Sequence, residues 1–196
     1  VLADRAMVNQ AFSEFGPPRF AGTSYHLVKV DAPGAFHPKI TMLIGETKGR
    51  LIVGSANLTA LGLGGNKEQL ASITYSAGAP ENAKFFIGAL AYLRRYVPQD
   101  DQWFPVSLQR ALRSAPWLRD DNFDLTFDAS GETDLNLLFD RPDITFLDQI
   151  VASIGDDTIE RLIVVSPYWD VRLEGLARLR DALGNPVANI LIESEA

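Results

Sequence analysis

The chain has 196 residues, is 46% apolar, and carries a formal net charge of −7, two histidines and no cysteine. That is enough apolar material for one good core or two small ones. It excludes disulfides, thiol catalysis and thiolate metal ligands, and a histidine-rich metal centre is not expected from His26 and His37 alone.

Residues 2–15 predict a helix, with Leu2, Ala6, Val8 and Phe12 partly periodic and Gly16-Pro17-Pro18 as the stop. Residues 24–31 alternate and predict a strand. Residues 36–45 and 50–56 predict two strands joined by "ETKGR", a hairpin with Gly49 in its turn. Residues 67–76 alternate again. Residues 81–96 predict a helix with Phe85, Ala89, Tyr92 and Tyr96 on one side, ending near Pro98. Residues 98–133 are acidic and proline-containing, with a helical patch at 106–113. They read as a linker or cap on which Trp103 and Trp117 should dock. Beyond them come a strand at 134–139, a helix at 143–154, a buried strand at 160–166, a helix capped by Asp170 to about residue 183, and a last strand in "NPVANILIE". The span 159–193 is a βαβ unit, which implies a parallel pair. With the hairpin in front, the fold class is α/β, a mixed sheet flanked by helices.

Charge is unevenly spread. Residues 19–97 hold nine Lys/Arg against four Asp/Glu, and residues 98–160 hold four Arg against fourteen Asp/Glu. An acidic whole argues against sequence-blind nucleic-acid binding over the entire surface; the positive stretch is compatible with a phosphate-bearing substrate, although charge alone favours plain solvated surface for both stretches. No apolar run reaches the length of a membrane span, and a cytoplasmic location is expected.

The positive stretch contains "HPKITMLIGETKGRLIVGSANLT". Alternation puts His37 and Lys39 on one face and Ser55 and Asn57 on one face. If the hairpin centres near residue 47, paired positions sum to about 94. Lys39 then falls opposite Ser55, and His37 opposite Asn57. Lys39 would supply a point charge for phosphate oxygens, Ser55 and Asn57 hydrogen bonds, and His37 a nucleophile or acid–base. Glu68 could orient an imidazole by accepting its N–H. His-x-Lys alone is weak, and "GSAN" alone is an ordinary turn. The ordered combination with Asn66 and Glu68 carries the signal.

These residues resemble the phospholipase D superfamily, the His-Lys-Asp phosphodiesterases, over about residues 24–76. "FHPK" and "GSANLT", followed by Asn66 and Glu68 as "N-x-E", are most similar to the prokaryotic nuclease-like branch attached to restriction or helicase systems. The family aspartate would fall on Ile44, with Glu46 nearby. The resemblance implies a phospholipase D-like fold and metal-independent phosphodiester hydrolysis through a phosphohistidine, with no cofactor. His37 would be one of two histidines, Lys39, Ser55, Asn57 and Glu68 catalytic, and Lys39, Ser55, Asn57 and Asn66 substrate-binding.

The second histidine is not evident, because in "HLVKV" Lys29 falls three residues after His26, on the opposite strand face. A homodimer or a second motif in a longer chain would supply it. The start at Val1 and the half-repeat after residue 134 favour a fragment of a two-repeat protein that lacks its opening strand. The domains then read as residues 1–97, a first repeat; 98–133, the linker or cap; and 134–196, the start of a second repeat. DNA is the expected substrate. The alternatives are a lipid phosphodiesterase or phosphatidyl transferase, and a non-catalytic nucleic-acid-binding or dimerisation module beside a helicase or restriction enzyme.

Overall fold

The chain opens on a strand, not a helix. In the structure, a computed structural model that describes residues 1–119, 136–166 and 168–191, β1 (Leu2–Asp4) pairs in parallel with β2 (Val28–Val30), Leu2 opposite Val28. Three residues are too few to show a period of two, and the partner lies 26 positions away, so no local pattern reveals β1. Helix α1 (Arg5–Phe15) links the two strands. The Asp4 carboxylate accepts the Met7 N–H at 3.1 Å and caps it.

Strands β3 (Ile40–Ile44), β4 (Gly49–Gly54) and β5 (Leu70–Tyr75) form an antiparallel sheet in that order. Pairing joins Ile40 to Val53 and Ile44 to Gly49. The sheet's inner face presents Leu51 and Ile73, both buried. Against it belong α3 (Ala83–Arg94), whose Phe85, Phe86, Ala89 and Tyr92 are buried, and a 3-10 turn at Pro116–Leu118 with buried Leu118. Each large apolar side chain so buried contributes roughly 1.5–3 kcal/mol. Among the described residues, no ladder joins this sheet to β1–β2 or to the strands after residue 136, so the single mixed sheet expected above is three small sheets. The coarser class, mixed α/β, is what the structure shows.

Residues 103–118 are more structured than a patch at 106–113. Helix α4 spans Trp103–Ser114. Trp117 stacks on Tyr75 at 3.8 Å, meets Phe86 edge-on at 5.2 Å, and donates its indole N–H to the Gly45 carbonyl at 3.0 Å. Trp103 does not dock and is 68% exposed. Gly49 sits inside β4, paired with Ile44 and Tyr75, not in the turn, and a Cβ there would stand 2.7 Å from the Trp117 ring and 2.9 Å from Phe86. His26 precedes β2 and bonds Asp101 at 2.7 Å, while the other Asp101 oxygen accepts the N–H groups of Trp103 and Phe104 at the start of α4.

The units Val1–Phe127 and Asp128–Ala196 are each compact. In the second, residues 136–139 are irregular where a strand was expected over 134–139, of which 134 and 135 lie outside the described residues. Helix α5 (Phe146–Ile154) carries a full capping box between Thr145 and Asp148. Strands β6 (Arg161–Val165) and β7 (Val187–Leu191) pair in parallel across α6 (Glu174–Ala182), the βαβ unit read from the sequence. Asp170 accepts the Glu174 and Gly175 N–H groups at 2.7 and 3.1 Å, the capping role expected of it. β6 is not buried, however: Ile163 and Val165 are 62% and 72% exposed, since a two-stranded pair leaves its faces open.

Candidate active site

His37 and Lys39 lie just before β3 rather than on it. Pro38 stands between them and has no N–H to give a ladder, so the strand begins at Ile40. The hairpin turns at Glu46 and Thr47, with Gly45 donating to the Lys48 carbonyl at 2.9 Å. Paired positions therefore sum to one less than expected. Lys39 falls opposite Gly54, whose N–H donates to its carbonyl at 3.3 Å, and Ser55 and Asn57 lie past the end of β4.

A polar cluster forms by a different route. The Lys39 ammonium reaches the His37 ring at 2.7 and 2.8 Å from its two nitrogens, and donates to the His37 carbonyl at 3.0 Å. One ammonium cannot lie in line with two divergent lone pairs, so neither ring nitrogen is fully committed to it. Ser55 donates to one Glu68 oxygen at 2.5 Å, and Asn66 donates to the other at 3.2 Å. The Gln69 N–H in turn donates to the Ser55 oxygen at 3.1 Å.

Glu68 and Lys39 feel one another's charge without forming an ion pair. Hydrogen bonds from Ser55 and Asn66, and then the charge of Lys39, hold the Glu68 carboxyl below the usual range against the cost of desolvation. Burial pushes the Lys39 ammonium below the ordinary lysine value, and Glu68 opposes that shift. Gly54 permits the arrangement: a Cβ there would run into the Gln69 carbonyl and the Leu70 side chain, separating β4 from the segment that carries Glu68.

Five of the six predicted residues thus gather at one end of the β3–β4–β5 sheet. Asn57 does not join them. It is exposed, its carbonyl accepts the Thr59 N–H, and its side chain makes no hydrogen bond among the described residues. Glu68 accepts from Ser55 and Asn66 and makes no hydrogen bond to His37. Ile44 and Glu46 lie at the far end of β3, about 16 Å of strand away, so Glu46 cannot replace the missing aspartate. His26 is bonded to Asp101 instead. The sequence reading missed Gln69, whose backbone N–H holds Ser55 and which no side-chain pattern marks. Among the described residues no cluster of ligating side chains could hold a metal ion, and no helix is long and apolar enough to cross a membrane. Comparison with protein-family models, curated proteins and solved structures finds no match for the chain.

Proposed function

We propose that the chain is a phosphodiesterase, or part of one, that works without a metal through a phosphohistidine on His37, and that its substrate is nucleic acid. The observation that carries this is the joint placement of an exposed imidazole, an ammonium above it, and a hydroxyl fixed by a carboxylate. In the proposed reaction a ring nitrogen of His37 attacks phosphorus as the P–O bond to the leaving alcohol breaks. The alcohol takes a proton from an acid, and water then cleaves the P–N bond. Lys39 stabilises charge on the non-bridging oxygens. The acid is a second imidazole, from a second copy of this chain or from another motif in a longer protein. His26 is a poor candidate because Asp101 already holds it.

Hydrolysis of bis(p-nitrophenyl) phosphate in excess EDTA tests the reading. The expected result is activity that falls to background in His37→Ala and by about 10²–10³ in Lys39→Ala. A lipid diester is the second reading, and one observation favours it. Leu58, Leu61 and Leu63, around the short helix α2 (Ala60–Gly64), are 66–76% exposed just after Asn57, whereas the sequence offered no lipid-facing segment. Binding to anionic vesicles that is lost in Leu61→Glu would turn the choice toward lipid.

A further inference from the structure

We propose that the outer face of the β3–β4–β5 sheet is a track for a single-stranded nucleic acid, running from Lys39 to Arg50. The proposal rests on the phosphodiesterase reading above and names where its substrate lies. Register places Thr41, Leu43, Arg50, Ile52, Leu70, Ser72 and Thr74 on the face opposite buried Leu51 and Ile73. Lys39, opposite Gly54, continues that face toward His37.

Three features define the occupant. The first is charge: the three strands contain no acidic residue, and Arg50 is exposed with no ion pair or hydrogen bond among the described residues. In the adjoining turn Lys48 is matched by Glu46, and Glu68 lies before the start of β5 near Lys39, so Arg50 is the cation that the strands themselves present. A free guanidinium in line with the site's ammonium suits a chain of phosphates. The second is polarity: Ser72 and Thr74 are exposed, and they and half-buried Thr41 offer hydroxyls to a sugar–phosphate backbone. The third is the apolar set: Leu43 and Leu70 are 57% and 51% exposed. Unpaired bases could rest on them, whereas a duplex hides its bases.

Arg50 pairs with Leu43, four residues along the strand from Lys39. That is about 13 Å at 3.3 Å per residue, a distance that a dinucleotide, with its single internal phosphate, does not bridge. Arg50 should therefore matter to the longer strand and not to the dinucleotide.

The test is binding of fluorescent oligothymidylates of two and twelve nucleotides, over a range of salt, to wild type, Arg50→Glu and the exposed control Arg161→Glu. Hydrolysis of bis(p-nitrophenyl) phosphate by wild type, measured alongside, reports separately on the phosphodiesterase reading. Arg50→Glu should weaken the twelve-nucleotide ligand on the order of tenfold and lower the salt slope by about one. Arg161→Glu should change neither. The proposal is overturned if Arg50→Glu leaves affinity and slope unchanged, if wild type fails to bind the twelve-nucleotide strand, or if duplex binds better. It is also overturned if the chain dimerises, Leu43→Glu abolishes the dimer, and oligonucleotide affinity is unaffected, because the face would then be a protein contact.

Discussion

At the level of single residues, the cluster depends on Glu68 being ionised. Its folded-state pKa is depressed, chiefly by Ser55 and Asn66. A carboxylate of that kind contributes stability above its unfolded pKa, about 4.3, and the contribution is lost as pH falls through the lower folded value. Glu68→Gln should therefore lower the denaturation midpoint slightly at neutral pH, and the difference from wild type should shrink as pH falls below about 4.3 and through the lower folded value; urea titrations along a descending pH series check this. A difference unchanged across that range would mean the carboxylate does not hold the cluster. Asp101 gives a second residue-level expectation. Although burial raises its pKa, hydrogen bonds from Phe104, His26 and Trp103 together outweigh that and lower it. Asp101→Ala should cost about 1–2 kcal/mol through loss of the α4 cap, seen as a shifted urea midpoint with an unchanged slope. Residue types were legible in the sequence here, but partners were not. His-x-Lys and Gly-Ser-x-Asn were plain, yet Glu68 pairs with Ser55 rather than His37, because its position depends on where β4 and β5 end.

At the level of elements, the hairpin shows how a small ambiguity moves a site. A turn centred on Thr47 and one shared by Glu46 and Thr47 differ by one position in the pairing, which shifts the partner of Lys39 from Ser55 to Gly54. Periodicity was most reliable where it was long, as in α3, whose Phe85, Ala89 and Tyr92 stripe is buried as read. It failed for the three-residue β1 and could not tell Trp117 from Trp103. The difference between the tryptophans lies in what faces them: Gly49 leaves a recess beside Tyr75 and Phe86 that only Trp117 fills. Trp117→Ala should cost about 3–5 kcal/mol in chemical denaturation, and Gly49→Ala about 1–3 kcal/mol from overpacking. Trp103→Ala should change stability by no more than about 0.5 kcal/mol.

At the level of the whole molecule, the buried aliphatic and aromatic side chains among the described residues belong to the unit Val1–Phe127, which also carries the candidate site. The unit Asp128–Ala196 contributes a βαβ element and much of the acidic charge. The α/β class and the βαβ element were legible because each rests on long or strongly patterned segments. The separation into three small sheets was not, since strand pairing between distant segments leaves no local mark. Among the described residues the candidate site holds one imidazole and one ammonium and no second imidazole, so the proposed chemistry requires another chain or another motif. The most direct measurement is hydrolysis of bis(p-nitrophenyl) phosphate in excess EDTA by wild type and His37→Ala, with oligomeric state determined on the same samples. The account predicts EDTA-resistant hydrolysis that vanishes in His37→Ala; where the second imidazole comes from another copy, the active wild type is a dimer and His37→Ala remains one. Hydrolysis that EDTA removes, hydrolysis that persists without His37, or a silent dimer would contradict it.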